Sequence, residues 1–229
     1  MNAKAHLMRL LIQLTEVRKT IPKEMFKKMV TEIAPLFKER GFKKKNATFV
    51  KESREIVQIV HFAPSSWNLP DYYSFTLDIA IFSKPYFIIL NRNQPNNWFS
   101  YQSYRPIIAG DLRHLLENGF RHPDYNIIES TDIYSMAQNI IDNLVTLVFP
   151  YLDNLNNSDD VINEIEKQIV VEEGPRVSQF DLIPLYCTIG NKYKSQEALI
   201  IAWNIKIDNP NYYEMLKEFA QTLGLKLPV

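Results

Sequence analysis

The stretch "LFKERGFKKKNATFV", residues 36–50, decides the fold, because a helix has to stop inside it and a strand has to begin. Upstream, Met25, Phe26, Met29, Val30, Ile33, Leu36 and Phe37 recur at helical spacing as one apolar stripe. Pro22 stands where such a helix would begin, and Pro35 should bend it or leave a carbonyl unpaired. Gly41 reads as the left-handed residue just past the helix, which lets Phe42 fold back onto Phe37. The lysines that follow then face the carbonyl end of the dipole and run into a solvated turn at Asn46. "LLENGFR", at Gly119 with Phe120 reaching Leu115, and "TLGLK", at Gly224 with Leu225, repeat the pattern. Three of the six glycines are thus followed by a hydrophobic residue and a cation, so Lys43, Lys44 and Lys45 read as part of a helix stop.

Beyond Asn46 the period changes to two. "ATFVKE", "EIVQIVHF" and "YSFTLDIAIF" read as strands, and "PYFIIL" as a fourth. In the third, Phe75, Leu77, Ile79 and Ile81 point one way and Ser74, Thr76, Asp78 and Ala80 the other, predicting an antiparallel sheet with helices on one face. "SYRPIIAG" returns as an edge strand, and Asp111 caps a short helix ending at Gly119. Ser130 or Thr131 caps a longer helix carrying Ile133, Ala137, Ile140, Ile141, Leu144 and Val148, closed by Pro150. "SDDVINEIEKQIVV" is a further amphipathic helix. The expected class is α+β: an N-terminal helix packed on an antiparallel sheet of about four strands, followed by a helical C-terminal half. The expected organisation is a domain over residues 1–170, with 1–21 a helical extension, a linker at 171–178, and a docked helical hairpin over 179–229.

"EIAPLFKERGFKKKNATFVKE", "VQIVHFAPSSW" and "SFTLDIAI" together resemble the bacterial family known as domain of unknown function 4304. The resemblance is best over residues 22–85 and extends more loosely to 170. It implies a helix on an antiparallel sheet and brings no activity and no catalytic residues.

The 229 residues are 46% hydrophobic, enough for a sizeable core, and their formal net charge is zero, which argues against a nucleic-acid binder. Cys187 is the single cysteine, so an internal disulfide is excluded and a reducing cytoplasmic setting is expected. The N-terminal leucines, with Arg9 among them, suit a packed helix better than a signal peptide, and no run is long enough to span a bilayer. Glycine-rich phosphate loops and a Gly-x-Ser-x-Gly elbow are absent from the chain.

Three clusters remain. Gln58, Thr76 and Asp78 could share the polar face of the sheet as a shallow groove. Trp98, Tyr101, Tyr104 and Arg105 could present a partner-facing patch, whereas Trp67 and Phe99 more simply pin their loops to the core. Asp111, His114 and His122 could serve as an acid/base or metal cluster. His61 has no partner nearby in sequence and reads as structural. The leading reading is a small cytoplasmic protein-binding module, of which an immunity-type protein is one form, with no cofactor and no metal expected. Alternatives are a metal-dependent hydrolase at Asp111, His114 and His122, and, more weakly, nucleic-acid binding through Lys43, Lys44, Lys45 and Arg54.

Overall fold

Gly41 adopts φ +82° and ends the first helix, α1 (Ala3–Glu39), in the computed structural model. The model describes residues 3–115, 125–171, 178–205 and 210–228. The Phe42 amide donates to the Phe37 carbonyl at 3.0 Å and the Gly41 amide to Lys38 at 3.0 Å, the paired bonds of a Schellman stop. The Phe42 ring meets Phe37 edge-on at 5.4 Å. The same bond pair recurs at Gly190 and Gly224, both left-handed, and at Asn91, where asparagine takes the glycine's place. The stop expected at Gly119 lies outside the described residues.

α1 is longer than the sequence suggests, running unbroken through Pro22 and Pro35. Pro35 and Thr31, whose carbonyl loses its helical partner, are both on the exposed side, so water can take that bond. Among the described residues the sheet has six strands, β1 (Lys43–Lys45), β2 (Thr48–Glu52), β3 (Ile56–Pro64), β4 (Tyr73–Ser83), β5 (Ile108–Asp111) and β6 (Tyr125–Ile127). All pairings are antiparallel in the order β1-β2-β3-β4-β5, with β6 also on β4. The class is therefore α+β.

"PYFIIL" is not a strand. It forms α2 (Lys84–Ile89), because the Ser83 side chain accepts from the Tyr86 amide and Pro85 occupies the first turn. After β6 come α3 (Ile133–Asn143), a π-helical turn (Leu144–Val148) and α4 (Phe149–Asp153). Asp132, not Ser130 or Thr131, caps α3, accepting from the Tyr134 and Ser135 amides. Pro150 does not end this run; the π turn, with the Phe149 amide bonded to Leu144, carries the helix past it. α5 (Ser158–Val171), α6 (Leu182–Thr188), α7 (Lys192–Asn204) and α8 (Pro210–Leu223) complete the chain.

One continuous core joins α1, the inner sheet face and the C-terminal helices, from Phe26 and Phe37 through Phe62 and Phe75 to Leu199 and Phe219. The outer face is not simply wet. Val50, Val57, Ile59, Ala80 and Phe82 form a second apolar cluster there, closed by Phe87 and by Trp98 of a 3₁₀ segment (Trp98–Ser103). Gln58 sits on the inner face and donates from Nε2 to the Leu152 and Leu155 carbonyls at 2.7 and 2.9 Å, pinning the end of α4.

Gly41→Ala adds a methyl that meets nothing within 4 Å, so only the left-handed backbone penalises it. The loss should be roughly 1–2 kcal/mol, with a Tm drop of about 2–4 °C per kcal/mol; an unchanged Tm would show that the stop does not need a left-handed residue. Gln58→Leu removes the donor shared by two buried carbonyls and should cost about 1–3 kcal/mol in urea unfolding.

Candidate functional site

Where the β1–β2 turn, the end of β3 and the start of β4 come together, a groove of about 680 Å³ opens between α1 and the 3₁₀ segment. The lining residues of α1 follow helical spacing: Lys23, Phe26, Lys27, Val30 and Thr31. Lys44 and Lys45 approach from the hairpin, whose turn is possible because Asn46 takes φ +53°. Four lysines from two elements therefore line the groove together with Phe26, Val30, Tyr73 and Phe99. Lys27 bonds Glu24 at 2.7 Å, whereas no carboxylate among the described residues pairs with Lys23, Lys44 or Lys45. Lys44 and Lys45 are solvent-exposed as expected, yet they belong to an edge strand and line the same groove as Lys23 and Lys27 of α1 rather than ending in an empty turn.

A polar row crosses the outer sheet face and ends at this groove. Lys45 lies opposite Thr48, Thr48 opposite His61, His61 opposite Asp78, and Asp78 opposite Asp111. Thr48 Oγ1 and His61 Nδ1 are 2.9 Å apart, and Thr48 and His61 both line the groove. The Thr76 hydroxyl donates to Asp78 Oδ1 at 2.8 Å. Burial drives the His61 pKa below its ordinary 6.5, against the pull of the Asp78 carboxylate and the Ala47 carbonyl. The Tyr101 ring stands 6.2 Å from the His61 ring, and burial, then Asp78, push its hydroxyl up to about 12.

Of the residues singled out from sequence, Thr76, Asp78 and Tyr101 do gather on one face. Gln58 does not join them; the register pairs it with Ile81, and His61 takes the place opposite Asp78. Trp98 is 6% exposed in the second apolar cluster, so it is no partner-facing residue, while Trp67 is 86% exposed, the reverse of the expectation. The outer face needs a large ring to close it, and Trp98 is the one whose segment crosses that face. Tyr104 packs its ring 6.1 Å from Phe87. Arg105 is occupied, bonded at 3.1 Å to Asp181, whose side chain is 3% exposed and also accepts from the Tyr86 hydroxyl at 2.7 Å. Burial raises the Asp181 pKa although Arg105, Tyr86 and Arg92 all pull it down, and its bonds to Tyr86 and Arg105 join α2 and the segment before β5 to the start of α6.

Asp111 is buried at the end of β5, and a 3₁₀ turn (Leu112–Leu115) follows it; the rest of the helix expected up to Gly119 lies outside the described residues. The side chain of His114 and the whole of His122 lie outside the described residues. Among the described residues no group of three or more His, Cys, Asp or Glu side chains could hold a metal ion. Glu55 is engaged elsewhere, accepting from the Ser158 amide and hydroxyl at 3.0 Å at the start of α5. Among the described residues no helix is long and apolar enough to cross a membrane.

Lys23, Lys27, Thr48 and His61 are the site residues that sequence reading missed. The i, i+4 placement of Lys23 and Lys27 around Phe26 was a visible signal, but its meaning depends on what the hairpin brings opposite. Residues 33–175 match the model of a family described as "Domain of unknown function (DUF4304)". No curated protein and no solved structure matches the chain.

His61 resists protonation in the folded protein, so its contribution to stability is complete above pH 6.5 and declines as pH falls below that value, where the unfolded chain takes up the proton first. His61→Gln should flatten the fall of Tm between about pH 7 and pH 5. An identical slope in the variant would show that His61 is not held neutral.

Proposed function

Since the chain belongs to the DUF4304 family, whose model spans the helix stop, all six strands and α3–α5 but assigns no activity, we propose its function from the groove: a non-catalytic protein-binding module that receives an acidic, amphipathic segment of a partner. The observation that carries this reading is that Lys23, Lys27, Lys44 and Lys45 line one groove with the apolar Phe26 and Val30. Ammonium groups on a concave rim attract carboxylates and set their register, and the floor takes the alternating apolar side chains. The apolar floor and the zero net charge favour a peptide over a nucleic acid, which would leave Phe26 and Val30 uncovered by its phosphates. A cytoplasmic immunity-type protein, covering an acidic surface of a toxin, is one form of this reading.

An acid/base reading of the same groove rests on Thr48, His61 and Asp78, a hydroxyl, an imidazole and a carboxylate in one cross-strand row. The neutral ring suits a general base. It would require a substrate turned over at a rate that His61→Gln abolishes.

Fluorescence anisotropy with three labelled probes tests the binding reading: a peptide alternating glutamate with leucine and phenylalanine, polyglutamate of equal length, and a single-stranded oligonucleotide. The alternating peptide should bind best, and the double variant Lys44→Glu/Lys45→Glu should weaken it by at least about tenfold. Tighter oligonucleotide binding with a steep salt dependence, or no binding of any probe, would overturn the proposal.

A further inference from the structure

We infer that the loop between β3 and β4, residues 65–72, is the apolar half of the same interface, and that the partner segment carries an apolar residue beside its acidic stretch to cover Trp67. This rests on the groove being a partner site. Trp67 is 86% exposed and Leu69 62% exposed, two residues apart on a loop whose two roots, Pro64 and Tyr73, line the groove. The molecule elsewhere closes its outer face with a tryptophan, Trp98, yet leaves this one in water.

The loop is already ordered. The Ser65 amide donates to the Ser74 carbonyl at 2.9 Å, and the Trp67 amide to Ser65 Oγ at 3.1 Å. Asn68 embraces the Ser74 backbone, accepting from its amide at 2.6 Å and donating to its carbonyl at 3.0 Å. Leu69 bridges to Tyr72, whose hydroxyl donates to Asn126 Oδ1 at 2.6 Å on β6. A ring carried on a backbone so fixed costs the loop little further ordering on binding and can bury roughly 150–250 Å² of surface. The charges choose the occupant: Lys23, Lys44 and Lys45 find no carboxylate among the described residues, so the complement is an acidic chain. The rim is concave, which fits an extended polypeptide better than a flat anionic bilayer. The lysines then steer and orient, and Trp67 anchors.

The test compares the alternating acidic peptide with the same peptide extended by a Leu-Phe-Leu tail, against the full chain and its Trp67→Ala and Leu69→Ala variants. Trp98 is buried and Trp203 half-buried, so acrylamide quenching of tryptophan emission reads mainly Trp67. The tail should tighten binding to the native chain by about thirtyfold and shield Trp67 from the quencher. In Trp67→Ala the two peptides should come within about twofold of one another, and Leu69→Ala should narrow the gap in part; circular dichroism checks that both variants fold. A tail that adds nothing, or a gain that survives Trp67→Ala, overturns the inference while leaving the groove intact. Shielding of Trp67 by phosphatidylserine vesicles and not by the tailed peptide overturns it in favour of a membrane surface. Failure of both peptides on the native chain removes the groove reading and this inference with it.

Discussion

The contact on which the rest depends is Phe37 with its neighbours. Its ring stacks on Phe49 at 3.9 Å and meets Phe42, Phe62 and Phe149 edge-on at 5.4, 6.3 and 5.2 Å. These four rings come from the helix stop, β2, β3 and α4, so one side chain sets the height of the sheet beneath α1 and the seat of the helices after it. Gly41 makes this geometry reachable, because only a left-handed residue there returns the chain within one step toward the helix it has just left. Arg40 completes the seat, lying 4.3 Å over the Phe149 ring and 3.3 Å from Asp153.

The groove follows from that constraint. Once Phe42 and Phe49 are anchored against Phe37, the β1–β2 turn lies beside α1, and Lys44 and Lys45 line the same groove as Lys23 and Lys27. The outer face adds the second wall. Its apolar cluster holds the 3₁₀ segment over Val57, Ile59 and Phe82, and Phe99 and Gln102 of that segment reach the groove. The site thus lies beside the middle of α1, where the β1–β2 turn and the end of β3 meet the outer segment.

Local chemistry was readable wherever a residue type acts on its own backbone. Gly41 and Gly224 announced their stops, and the alternation in residues 75–81 announced a half-buried strand. "PYFIIL" reads as a strand because a continuous apolar run has no period of its own, and the Ser83 cap with Pro85 in the first turn makes it a helix. The polar residue facing Asp78 depended on which faces of β3 and β4 coincide, and a one-residue change in register exchanges Gln58-type and His61-type positions. Trp67 and Trp98 both follow proline-containing loops, and nothing local states which one crosses a sheet face.

The amino-acid sequence by itself determined the α+β class, the helix stop at Gly41, the strand character of the segments after Asn46 and the helical second half, because each rests on backbone preference or on the period of a single element. The tertiary structure alone decided that Lys44 and Lys45 share a groove with Lys23 and Lys27, that Trp67 is bare while Trp98 is covered, and that His61, not Gln58, stands by Asp78. These are meetings between elements distant along the chain, and their outcome is set by how rings such as Phe37, Phe49 and Phe82 pack when the layers close.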